Sequence, residues 1–193
     1  KNSITGVFGK SGSGKTTLIN LVCGLIKPDS GYILIDDTKY NFKENPCKLK
    51  IGYVSQSTAL IDDTLAKNIA FGIPDNSIKG ENLNRCIEIS RISNFIETLP
   101  KGLNTRIGEK GTRLSGGQQQ RVGIARALYS NPDLLIIDEG TNSLDKKTER
   151  EILDEIKSLK KDLSIILVSH DMDLISSYSD HIFELKDQKL KKI

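Results

Sequence analysis

The chain has 193 residues, 37% of them hydrophobic and 27% charged, with a formal net charge of +3. That is enough for one substantial core and short for two, and so mild a charge gives no ground for a nucleic-acid partner. No apolar run approaches the roughly 20 residues of a membrane helix, so this stretch does not cross a bilayer by itself. Cys23, Cys47 and Cys86 lack C-x-x-C spacing and support neither a disulfide framework nor a zinc site, which makes a reducing cytosol the default. The sequence starts without methionine or signal peptide, a few residues before a buried strand, and reads as a piece of something longer.

The first element is a short apolar strand, Ile4-Thr5-Gly6-Val7-Phe8, followed by Gly9-Lys10-Ser11-Gly12-Ser13-Gly14-Lys15-Thr16. This stretch fits G-x-x-x-x-G-K-[ST], and Thr17 to Val22 continues it as a helix with its apolar side inward. Glycines let the backbone curl so that successive N–H groups point at one centre, where the helix presents its positive end. That is a cradle for a polyphosphate, with Lys15 reaching the outer phosphates and the Thr16 hydroxyl a magnesium ion. A ligand-free glycine turn is the bland reading, but the four fixed positions arise by chance in roughly one chain of this length in a hundred. A strand before and a helix after lower that further.

Pro28-Asp29-Ser30-Gly31 is a turn, and Tyr32-Ile33-Leu34-Ile35 reads as a strand ending in Asp36-Asp37. Ile51 to Ser55 is another strand and delivers Gln56 at its carboxyl end, where ligand groups gather in open α/β sheets. From about Leu65 to Leu128 the character changes to helices and polar loops. Ile87, Ile92, Phe95, Ile96 and Leu99 form the better apolar face there, read as packing within one helix that Pro100-Lys101-Gly102 ends. Ser115 is a natural N-cap for a helix that stops before Asn131-Pro132, and Gly116-Gly117 at its start would let an anion approach.

Leu134 to Ile137 has the look of a buried parallel strand and ends in Asp138-Glu139. Two carboxylates at the end of a buried strand are costly unless they meet a cation or a proton-transfer task. With the glycine loop upstream, Asp138 reads as a magnesium-side carboxylate and Glu139 as a base for water. A helix over about 146–160 follows, then the buried strand Ser164 to Val168, with His170 two residues beyond it as a phosphate contact. His181, before the last strand Ile182 to Leu185, reads as structural, and the basic end from Lys186 to Lys192 as a solvated terminus.

In this order the residues resemble the ATP-binding domain of ABC transporters over essentially the whole chain. Gly9 to Thr16 is similar to the family's Walker A loop, Gln56 to the Q-loop, and Leu114-Ser115-Gly116-Gly117-Gln118 to the signature that separates the family from other P-loop enzymes. Leu134 to Asp138 resembles Walker B, Glu139 the catalytic glutamate, Asn142-Ser143-Leu144-Asp145 the D-loop and His170 the switch histidine. Departures are Gly140 and Asn142-Ser143 in place of Ala and Ser-Ala, and Asp171 where exporters often carry arginine. Ile61 to Gly72 and Thr105 to Gly111 are exporter-like, most reminiscent of flippases for lipid-linked oligosaccharides and related exporters.

The resemblance implies an α/β fold: a P-loop NTPase core with a mainly parallel sheet flanked by helices, plus an inserted helical subdomain. It implies one ATP-binding domain over 1–193, with 1–64 and 129–193 as the α/β core and about 65–128 as the helical part with the signature. ATP and Mg2+ are the implied ligands. Phosphates would be held by Gly9, Lys10, Ser11, Gly12, Ser13, Gly14, Lys15, Thr16 and Thr17, and from a second copy by Ser115, Gly117 and Gln118. Metal would be met by Thr16, Gln56 and Asp138, and chemistry carried out by Glu139, His170 and Gln56. The implied partners are a second ATP-binding domain, head to tail, and transmembrane domains fused upstream, on the cytoplasmic face of a membrane. The family's adenine-stacking aromatic lies upstream of the phosphate loop and so before Lys1. The implied activity is ATP hydrolysis driving export, with an importer subunit as the alternative. A soluble repair or chromosome ATPase would need a long coiled-coil insertion between Gln56 and Leu114, a GTPase an N-K-x-D motif, and a non-hydrolysing module the loss of Glu139 or His170. None of these is found.

Overall fold

The computed structural model describes residues 2–39, 49–108 and 114–193. Its main sheet has six strands: β1 (Ile4–Phe8), β4 (Ile51–Val54), β5 (Leu134–Asp138), β6 (Ser164–Ser169), β7 (His181–Lys186) and β8 (Lys189–Lys192). The spatial order is β4-β5-β6-β1-β7-β8. All neighbours are parallel except the β7–β8 hairpin. A parallel strand needs cover on both faces, and β5 is buried along its whole length, as its run of four aliphatics requires.

Parallel pairing puts the carboxyl ends of β1, β4, β5 and β6 on one edge of the sheet. The segments leaving that edge carry Gly9 to Thr16, Gln56, Asp138-Glu139 and His170. The fold thereby gathers residues far apart in sequence, as expected from the strand-end positions.

Helices α1 (Lys15–Val22), α2 (Leu65–Ile69), α3 (Gly80–Ile89), α4 (Ser93–Glu97), α5 (Gly116–Tyr129), α6 (Lys146–Ser158) and α7 (Met172–Tyr178) complete the chain. One apolar cluster runs through Leu83 and Cys86 of α3, Leu128 of α5, Leu135 of β5 and Ile165 of β6. The helical stretch therefore shares its core with the sheet. Arg126 fastens α5 to the segment after Gln56, donating to the carbonyls of Ala59 and Asn68, both at 2.7 Å.

Two expectations need correction and a third gains detail. The apolar stripe of 87–99 is split over two helices: Arg91 has φ 54, a left-handed value that ends α3 at Ile89 and lets α4 start afresh at Ser93. The strand Tyr32–Ile35 shrinks to β2 (Leu34–Ile35), which among the described residues pairs with β3 (Thr38–Lys39) alone, around Asp36-Asp37, both at positive φ. The basic end is exposed to solvent, as read, but it is regular structure. Asp187-Gln188 makes the same kind of turn, and Lys189–Lys192 adds an exposed edge strand whose lysines discourage further pairing. Cys47 and residues 109–111 of the exporter-like loop lie outside the described residues.

Candidate active site

Gly12 (φ 79) and Gly14 (φ 101) give the loop after β1 its curl, since side chains rarely tolerate such backbone. Gly14 is the N-cap of α1 and offers no side chain there, so the first N–H groups of the helix are left for another acceptor. Lys15 is only 9% exposed. Its Nζ donates to the carbonyls of Gly9 at 2.8 Å and Lys10 at 3.1 Å, which folds the side chain back over the loop. The Ser13 hydroxyl is buried with no hydrogen-bond partner among the described residues. An orphaned hydroxyl, free helix N–H groups and a lysine in one loop fit a phosphate chain. Ser11, Thr16 and Thr17 stand exposed around the same turn.

The carboxylate of Glu139 is the meeting point of the site. Gln56 Nε2 and Asn142 Nδ2 each donate to its Oε2 at 3.2 Å. Its Oε1 lies 3.3 Å from His170 Nδ1 and 3.7 Å from Lys15 Nζ. The backbone is turned to allow this: Glu139 has φ 50, and its N–H donates to the Val168 carbonyl of β6 at 3.0 Å. A non-glycine residue in the left-handed region is a strained position of the sort found at working sites.

Asp138, 8% exposed, accepts a hydrogen bond from the Tyr53 hydroxyl at 3.1 Å. Burial pushes its carboxyl up from the ordinary range and the Glu139 charge adds to that. The Tyr53 hydrogen bond and Lys15 act the other way. Burial and the Asp138 charge raise the Tyr53 phenol to about 12, so it stays a donor. Among the described residues no group of three or more His, Cys, Asp or Glu could hold a metal alone. The Asp138 carboxylate and the Thr16 hydroxyl are oxygen donors of the kind a hard divalent cation takes alongside phosphate oxygens and water.

Ser115 caps α5 in a reciprocal pair: Gln118 N–H donates to Ser115 Oγ at 3.2 Å, and Ser115 N–H to Gln118 Oε1 at 2.8 Å. Gly117 lies against Ser143 and Leu144. Ser143 N–H also donates to Gln120 Oε1 at 2.8 Å. Among the described residues, no hydrogen bond or ion pair joins Ser115, Gly117 or Gln118 to the Gly9–Thr17 loop. The structure thus brings Lys15, Gln56, Asp138, Glu139 and His170 together and leaves the start of α5 outside that cluster. Tyr53 and the contact of Asn142 with Glu139 were missed in the sequence. Tyr53 could have been flagged as a polar group near the end of the strand that delivers Gln56.

The family described as ABC transporter matches residues 1–142, more than half of the chain. A Rickettsia typhi protein, provisionally named an export ATP-binding/permease protein, is 39% identical over 98% of this chain and 32% of its own length. An ATP-dependent lipid A-core flippase of Ralstonia nicotianae is 37% identical over 95% of the chain and 31% of its own. The structure of a bacterial Atm1-family ABC exporter with ATP bound superposes with a TM-score of 0.88 at 34% identity, covering 98% of this chain and 33% of the other. The chain thus spans about a third of the length of the relatives it matches. With these matches and the arrangement of its strand-end residues, the chain belongs to the ABC transporter family.

Proposed function

We propose that the chain is the ATP-hydrolysing motor of a membrane exporter and supplies half of each of two composite sites in a head-to-tail pair. The observation that carries this is the Glu139 carboxylate, in reach of Lys15, Gln56, Asn142 and His170 at once. Lys15 and the loop N–H groups of Gly9 to Thr17 bind and orient the β- and γ-phosphates. Glu139 accepts the proton of a water whose oxygen attacks the γ-phosphorus, the bond to the β–γ bridging oxygen breaks, and ADP leaves. His170 and Gln56 hold that water and the γ-phosphate in line. Thr16, Asp138 and Gln56 would hold Mg2+, which would neutralise charge building on the phosphate oxygens. Ser115, Gly117 and Gln118 close on the γ-phosphate of the opposite copy, which agrees with their separation from this copy's loop.

The division into an α/β core (1–64, 129–193) and a helical part (about 65–128) is retained as a proposal, with Gln56 at the joint between them. Full-length relatives named exporters and flippases support membrane domains in the parent protein, and with them a place on the cytoplasmic face of a membrane. The flippases among them favour a lipid-linked cargo. In the full-length polypeptide, Glu139→Gln should slow phosphate release by about 10²–10⁴-fold, as for loss of a general base, while ATP still binds. Near-normal turnover would sink the assignment.

A further inference from the structure

A cavity of about 320 Å³ opens between the turn after Glu139 and the turn after β6, lined by Thr141, Asn142, Lys146, Glu149, His170 and Asp171 among others. Of the two side chains read as catalytic, His170 lines it, and His170 Nδ1 lies 3.3 Å from Glu139 Oε1. Leu144 and Leu174 supply apolar lining, and among the described residues a chain of polar contacts links the two turns. Glu149 of α6, 5% exposed, accepts a hydrogen bond from the Thr141 hydroxyl at 2.7 Å. Its other oxygen accepts from Lys146 Nζ at 3.2 Å. The same Nζ lies 3.8 Å from Asp171 Oδ2. Asp171 follows His170 directly, its N–H donating to Ser169 Oγ and its Oδ1 capping α7.

We infer that Lys146 is a positioning residue for the proposed hydrolysis, bridging the Glu139 turn through Glu149 and Thr141 to the His170 turn through Asp171. A buried carboxylate holds its charge only with a partner, so Glu149 fixes where the ammonium sits. The ammonium then fixes Asp171, and with it the backbone from which His170 projects. The pairing also accounts for acid beside the switch histidine: an arginine at 171 would face Lys146 with like charge.

The inference rests on the hydrolysis reading, and the test separates the two. In the full-length polypeptide with Mg-ATP, Lys146→Met should lower kcat about 3- to 10-fold with KM for ATP within about 2-fold. That range suits an exposed ion pair whose loss misplaces a catalytic group. Lys146→Arg should restore kcat to within about 2-fold. Asp171→Asn keeps the cap but loses the charge; it should reproduce the Met effect, and the double variant should be no slower than either single one. Unchanged kcat in Lys146→Met, no recovery with Arg, or multiplying effects in the double variant would each overturn the bridge. Absence of turnover in the unsubstituted protein would overturn the hydrolysis reading and the bridge with it.

Discussion

Asp138→Asn should make the nucleotide-free domain more stable while stopping magnesium-dependent turnover. Asp138 is nearly buried at the end of β5, and burial together with the neighbouring Glu139 charge holds its carboxyl above the ordinary 3.8. The folded state therefore resists the charge it must carry to meet a cation. Asparagine has the same shape and its Oδ1 can still accept from Tyr53. What is forfeited is attraction to Lys15, which keeps the Gly9 and Lys10 carbonyls and Glu139. Relieving a destabilised site of this sort is worth about 0.5–2 kcal/mol, and each kcal/mol raises the melting temperature of a domain this size by about 2–4 °C. The sign with pH follows from the raised carboxyl. In the window above 3.8 the folded state binds more protons than the unfolded, so the parent loses stability as pH rises through that window. The advantage of Asn should thus be full at neutral pH and vanish in acid. Calorimetric melting of both full-length proteins without nucleotide, from about pH 3 to 8, checks this. A lower melting temperature for Asn at neutral pH, or a gap that does not close in acid, would refute the reasoning.

Gly140→Ala, the residue commoner in the family at this position, should destabilise this chain. Its Cβ would lie 2.5 Å from Val54 Cγ1 and 3.2 Å from Ile137 Cγ2, an overpacking worth about 1–3 kcal/mol, and Val54→Ala should recover part of the lost melting temperature. Ser115→Arg should abolish turnover without preventing nucleotide binding to its own chain, measured by equilibrium binding of labelled ATP. Loss of that binding would show that the start of α5 serves its own copy's site.

Much of the site was legible because its residues follow local rules. The glycine loop sits between a strand and a helix, Ser115 precedes a helix with Gln118 at the third position, and Asp138-Glu139 ends an aliphatic run. What was not legible depends on pairing between distant segments. Tyr53 reaches Asp138 because β4 lies beside β5 with Tyr53 opposite Ile136, a register no local pattern states. The Glu149–Lys146–Asp171 bridge needs α6 and α7 to start side by side. The split of α3 from α4 hangs on one left-handed residue, Arg91, inside a stripe whose apolar spacing gave no hint of it. The lysines of β8 read as a solvated tail because an exposed edge strand carries no buried face to betray its period.

Whether Glu139 takes the proton from the attacking water is tested most directly by one measurement. The full-length Glu139→Gln polypeptide is mixed with labelled Mg-ATP, freed of unbound nucleotide, and the nucleotide it retains is identified. Intact ATP is expected, held because binding by Lys15 and the glycine loop survives while water is no longer activated. Retained ADP, formed at a rate close to that of the unsubstituted protein, would contradict it.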